Sequence, residues 1–159
     1  MPEDVFKVPK SPARVILDVP PDPPIERRVY VSELAEKHRG RETACDLLEA
    51  QGRFLPVVSA DGKFALISKQ AIRWVKVLEP QEAEWLYFEE RDNAPRIEVW
   101  CEFHEGDRLE GAIHAVTPEG KQRVQDVVNG EAGFLHLEAK DDLYLVNLSL
   151  VKTIGLMGG

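Results

Sequence analysis

From Arg96 to His104 the chain alternates, with Ile97, Val99, Cys101 and Phe103 set between Arg96, Glu98, Trp100, Glu102 and His104. A period of two marks a half-buried strand, because successive side chains leave opposite faces of the pleat. "HEGDR" (104–108) then supplies a Gly-containing turn, and "LEGAIHAV" (109–116) returns as the hairpin partner. With a turn at 105–107, Glu102 faces Glu110 and Glu98 faces His114. After "TPEG" (117–120), "KQRVQDVVNG" (121–130) predicts one short helix, with Val124, Val127 and Val128 on one side and an Asn-Gly stop. "GFLHLEA" (133–139) and "DLYLVN" (142–147) predict another strand pair. "LSLV" (148–151) reads as a tight turn and "KTIGLM" (152–157) as a last strand.

The same plan occurs earlier in the chain. Setting Asp46 on Asp126 brings Gly40 onto Gly120, Leu48 onto Val128, Phe54 onto Phe134 and Leu55 onto Leu135. After a one-residue gap near Ala60, "KFALISKQAIRWV" (63–75) lies on "DLYLVNLSLVKTI" (142–154), and upstream "ARVILDV" (13–19) resembles "PRIEVWC" (95–101). Four matches in the same order predict a duplicated unit of about 60–65 residues, within the range that folds alone or beside a twin. The first copy differs in three places. "VPPDPPIE" (19–26) must be an irregular loop or edge, since its prolines cannot donate to a ladder. "SELAEKHRGRETACDLLEAQG" (32–52) predicts a longer helical section, and "SADGKF" (59–64) an Asp-Gly turn.

Short strands, one helical turn and a tight turn before the last strand describe a mainly β fold with short helices. The expected architecture is a tandem duplication of a small SH3-like or Sm-like barrel, whose sheet covers its apolar face by curling on itself. Residues 1–12 form a flexible arm, 13–78 the first barrel repeat, 79–94 a connector and 95–157 the second repeat. Trp85, Leu86, Tyr87 and Phe88 make the connector too aromatic for a free linker, so it should bury against one barrel or between the two. In the arm, "VFKV" (5–8) could add as a strand to an open barrel edge.

Charge changes the picture by being uneven. Residues 1–78 hold 13 Lys and Arg against 11 Asp and Glu, whereas residues 79–159 hold 7 against 17, within a total of −8. The acidic half would repel a phosphate backbone, which disfavours nucleic acid, and would complement a basic protein surface or simply serve solubility. No apolar run reaches the length of a membrane span, and "MPEDVFKVPKSP" (1–12) lacks the basic start and apolar core of a signal peptide, so a cytoplasmic location is expected. Cys45 and Cys101 stand far apart among apolar neighbours and read as small core residues rather than a bridge.

Residues 108–155 carry a run of positions with a recognisable order: Gly111 and His114, then Arg123, Val124, Asp126, Val127, Val128 and Asn129, then Phe134 and Leu135, then Val146 and Asn147. This stretch resembles a family of uncharacterised bacterial domains with a "G-x-[IV]-H" step, "R-[LV]-x-D-[LV]-[LV]-N", "F-L" and "V-N-x-x-x-[IV]". The first copy matches more weakly, with Thr43, Glu49 and Ser68 in place of the Arg and the two Asn. The resemblance implies a small β-barrel interaction domain and attaches no activity to it.

Candidate sites are few. Asp46 and Asp126 either tie their helical turns to a backbone N–H or, with Arg123 beside Asp126, join a polar binding face. His104 and His114 sit on one hairpin face with Glu98, Glu102 and Glu110, but no spacing announces the three or four convergent ligands of a metal site. Neither metal nor cofactor is expected. Trp100 should point away from its own core, as an interface residue or as the contact between the copies. No phosphate loop, nucleophile elbow, zinc-protease helix or Cys–His pair occurs, so the chain is expected not to be an enzyme. These features point to a protein-binding adaptor or regulatory module, with Trp100, Glu98, Glu102, Glu110 and His114 as the candidate surface. One alternative is an Sm-like nucleic-acid binder using Lys37, Arg39, Arg41 and Arg53. Another is a structural subunit that forms a homo-oligomer through its barrel edges.

Overall fold

The computed structural model describes residues 10–33, 41–80, 84, 94–115, 123–131 and 133–158. The first half comprises β1 (Lys10–Asp18), β2 (Ile25–Ser32), α1 (Ala44–Glu49), β3 (Phe54–Val58), β4 (Phe64–Ser68), a 3-10 turn at Lys69–Ala71 and β5 (Trp74–Val77). The second comprises β6 (Arg96–Phe103), β7 (Arg108–His114), α2 (Val124–Asn129), β8 (Phe134–Ala139), β9 (Asp142–Asn147), a 3-10 turn at Leu148–Leu150 and β10 (Val151–Leu156). β1 therefore takes in Lys10, Ser11 and Pro12, which the sequence assigned to the arm, while the "VFKV" segment lies outside the described residues. Of the longer helix expected over 32–52, the described part is helical only at Ala44–Glu49.

All ten strands join one antiparallel sheet in the order β10-β6-β7-β8-β9-β5-β1-β2-β3-β4. The sheet is not closed. Within each half the strands run fifth, first, second, third, fourth, and the halves meet where β9 pairs with β5. The recorded ladder narrows to one residue pair at the middle of each half, Arg28↔Val58 and Ala112↔Glu138. Gly111 explains how β7 can cross β8 so closely, since a Cβ there would lie 2.7 Å from the Glu138 carbonyl oxygen.

Both helices are begun by the aspartates that the repeat singled out, as the turn-tying reading expects. In α1 the Asp46 carboxylate accepts from the Thr43 N–H at 2.8 Å, and the Thr43 hydroxyl accepts from the Asp46 N–H at 3.1 Å, a reciprocal cap. In α2 Asp126 accepts from the Arg123 N–H at 3.3 Å and from its Nε at 3.1 Å. The Glu84 carboxylate accepts from the Ala44 N–H, satisfying another otherwise unpaired donor of the first turn. The aromatic run Trp85–Phe88 beside it lies outside the described residues.

The β6–β7 hairpin corrects the expected register by two residues. Gly106 takes a φ of 100°, the Gly106 N–H bonds to the Phe103 carbonyl and the Phe103 N–H to that of Asp107. The loop is thus 104–106, with its left-handed position on the glycine, and the carboxylates do not face one another. Glu102 stands opposite Arg108, Trp100 opposite Glu110, and His114 opposite Arg96.

Two apolar cores result, and the junction strands belong to both. Val75, Val77, Leu143 and Leu145 lie in the core of the first half, while Trp74, Tyr144 and Val146 pack into that of the second. The Trp74 and Tyr144 rings meet edge to face with centroids 5.2 Å apart. Polar groups lock the same seam. The Asn147 amide donates to the Ile72 carbonyl at 2.9 Å, and its N–H bonds to the Arg73 carbonyl. Arg73, whose side chain is 10% exposed, reaches Asp18 at 2.7 Å, Asp107 at 2.8 Å and Glu105 at 2.9 Å. Its guanidinium also stacks 5.0 Å from the Phe103 ring centroid. Burial alone would lower its pKa, but Asp18 and Asp107 outweigh it and drive the group further up.

Removing Arg73 strands the buried Asp18 carboxylate, so Arg73→Met should cost about 3–5 kcal/mol in urea denaturation. Glu105→Gln removes a carboxylate that is 55% exposed and should cost under about 1 kcal/mol. Equal losses from the two variants would show that Asp18 does not depend on Arg73.

Candidate protein-interaction surfaces

The register of the β6–β7 hairpin gathers Glu98, Trp100, Glu102, Glu110 and His114 on one face, as the alternation indicates. That face is already interleaved with cations. Arg108 stacks on Trp100, its guanidinium carbon 4.0 Å from the ring centroid, and its Nε approaches Glu102 at 3.3 Å. Lys152 of β10 meets the other Glu102 oxygen at 3.0 Å. Lys152, and after it Arg108, hold the Glu102 carboxyl below its usual range. Arg96 Nε donates to Glu98 at 2.8 Å, and His114 Nε2 lies 2.9 Å from Glu138. Glu110 is exposed.

Trp100 does point away from its own core, but it does not span the two halves. It lies across Gly155 of β10, where a Cβ would come within 2.2 Å of the ring. Among the described residues, aromatic side chains that cross between the halves are Trp74, which packs into the second-half core, and Phe134, which packs into the first.

Among the basic residues, Lys37 and Arg39 lie outside the described residues. Arg41 donates to the Pro12 carbonyl at 3.4 Å, and Arg53 is exposed just before β3. Cys45 and Cys101 are buried and free. Burial pushes the Cys101 thiol up to about 11. Burial and then the Glu49 carboxylate, which accepts the Cys45 thiol at 2.8 Å, raise Cys45 further. Both are protonated at neutral pH and unsuited to nucleophilic work.

The surfaces that sequence reasoning missed are the two ends of the sheet. At the β4 end, Phe54, Phe64 and Leu66 are 50%, 65% and 55% exposed. At the β10 end Leu156 and Met157 are 52% and 41% exposed. Beside β10 runs a groove of about 340 Å³, lined on the α2 side by Val124 and Val128 and on the other by Leu148, Val151 and Ile154. An end strand also carries a row of main-chain N–H and C=O groups with no neighbouring strand. "KFALIS" and "KTIGLM" read as strands, but nothing local to them says that they are outermost.

Comparisons with protein-family models, curated proteins and solved structures find no match. The surfaces themselves therefore carry the functional reading. Among the described residues no three His, Cys, Asp or Glu side chains converge as a metal site requires, and no helix is long and apolar enough to cross a membrane.

His136 of β8 is a strongly perturbed titratable group. Burial pushes it down to about 4, against a hydrogen bond with the Glu84 backbone and the nearby Asp46 charge, which both favour the proton. Its Nδ1 is buried without a hydrogen-bond partner. The unfolded imidazole takes up a proton near its ordinary 6.5, while the folded one does so only near 4. Stability present at neutral pH is therefore lost as pH falls through that interval, by at most about 3 kcal/mol. Thermal denaturation of His136→Gln should show a shallower decline between pH 6.5 and pH 4 than the parent. Parallel profiles would remove His136 as the cause.

Proposed function

We propose that this chain is a non-enzymatic protein-interaction module, an adaptor or regulatory subunit, built from two copies of a small SH3-like or Sm-like unit that binds protein through its sheet edges. The observation that carries the reading is the exposure of large apolar side chains on both end strands, at Phe64 and Leu66 and at Leu156. An added strand would satisfy the free main-chain groups while these side chains bury against it. The duplication is supported by shared order and shared detail. Each half places a helix after its second strand, with an aspartate at the third helical position. Each places a 3-10 turn after its fourth strand, and that turn bonds back to the residue before the third strand, Lys69 N–H to Arg53 and Leu148 N–H to Gly133.

The sheet edges suit this role better than the Trp100 face. Glu98 and Glu102 already hold Arg96, Arg108 and Lys152, so a basic partner would have to displace three internal cations. Affinity capture from native cells tests the choice. Leu66→Lys combined with Leu156→Lys, checked for retained fold by circular dichroism, should reduce the specifically bound protein, further copies of this chain included, at least tenfold. Glu110→Lys, on the β7 strand away from either end, should leave it unchanged. Capture that ignores the edge variant and falls with Glu110→Lys would overturn the proposal.

A further inference from the structure

The seam inside the molecule specifies what its two ends can do. β5, the fifth strand of the first half, pairs with β9, the fourth strand of the second. Among the described residues the free ends are the complementary pair, β10 as a fifth strand and β4 as a fourth. At the internal seam Val77 faces Leu143 and Val75 faces Leu145, and all four residues are at most 4% exposed. Under the repeat alignment Leu143 and Leu145 correspond to Phe64 and Leu66, and Val75 and Val77 to Ile154 and Leu156. Phe64, Leu66 and Leu156 are each more than half exposed. Side chains that the seam buries are thus left open at the ends, at the same positions of the unit.

A second feature repeats the relation. Phe134 belongs to the second half, yet it is buried in the first-half core with Ala44, Cys45 and Leu48 of α1 and with Ile72 and Val75. Its counterpart Phe54 is half exposed. The counterparts of Ala44, Leu48, Ile72 and Val75 are Val124, Val128, Val151 and Ile154, and these line the open groove beside β10. Each chain carries the knob at one end and the matching socket at the other.

We infer that copies of this chain associate head to tail, β4 of one running antiparallel to β10 of the next and Phe54 entering the groove between α2 and β10. The inference rests on the edge-binding reading and the duplication above, and it supplies the partner, a second copy. The seam register places Phe64 opposite Leu156, Leu66 opposite Ile154, and Ala65 opposite Gly155, across which the Trp100 ring already lies. Two polar anchors of the seam are not repeated. Ser68 stands where Asn147 reaches the Ile72 carbonyl, and Lys152, which pairs with Glu102, stands where Arg73 holds three carboxylates. The contact between chains keeps the apolar part of the seam and loses its buried ionic lock, so it is reversible and concentration-dependent. Because its two sides differ, each added chain presents a new free end, and assembly proceeds to a ring or a fibre.

Sedimentation velocity with light scattering over a wide concentration range tests this on the full chain. The parent should grow in mass with concentration. Leu66→Lys and Leu156→Lys, both at exposed positions, should each raise the dissociation constant at least tenfold. Mixed one to one they should form a heterodimer and nothing larger, because only one intact β4 edge and one intact β10 edge remain. Leu66→Cys mixed with Ile154→Cys should give a disulfide-linked dimer on oxidation that neither variant gives alone. A parent that stays monomeric throughout, or association that persists in either lysine variant, overturns the inference. If the parent is monomeric but captures a different protein through the same edges, self-assembly fails and edge binding stands. If the edge variants alter neither measurement, both fail.

Discussion

The pairing of β5 with β9 is the constraint on which the rest of the molecule depends. One face of these strands is buried in the first-half core and the other packs Trp74, Tyr144 and Val146 against the second, so their side chains serve two cores at once. A seam of only four residue pairs has few contacts to fix its register, and a one-residue slip would carry each side chain to the wrong core. Arg73 and Asn147 prevent that. The guanidinium joins Asp18 of β1 to the turn of the β6–β7 hairpin, and the amide reads the Ile72 carbonyl just before β5. Buried ionic groups of this kind add more to register than to net stability, since desolvation offsets much of their attraction.

Sharing strands between cores makes the unit incomplete by itself. The first half borrows Phe134, Leu143 and Leu145 from the second to close its core, and among the described residues no corresponding donor covers the groove of the second half. Natural sheets commonly protect their ends with charge, proline or a short irregular strand. β4 has none of these over Phe64–Ser68, while β10 has Lys152, already committed to Glu102, and a register shift between Val151 and Thr153. Over Phe64–Ser68 and residues 154–156 the ends thus resemble the two sides of the molecule's own seam.

Much of the local structure was legible. Alternation over 96–103 located β6, and the aspartates of the repeat marked the helix starts because a short carboxylate at the third helical position reaches back to an unpaired N–H. The hairpin register was missed by two residues, because the turn was centred one residue too late and Gly106 had to occupy the left-handed position. The Trp100 environment was missed for another reason. Its outward direction follows from parity, but Arg108 and Gly155 reach it from neighbouring strands, and such neighbours depend on register and sheet order.

By itself the sequence determined the strand alternation, the aspartates that cap the helical turns and the recurrence of one pattern, since each follows from residue chemistry acting over a few positions. Tertiary structure alone decided that the halves join through β5 and β9 into one open sheet, and so which copies of the repeated apolar positions are buried. Leu145 and Leu66 occupy the same place in the repeat. One is fully buried and the other more than half exposed, because Leu145 has a strand on each side and Leu66, among the described residues, only β3 on one. Local pattern specifies a side chain's direction, whereas its burial depends on which strand arrives beside it.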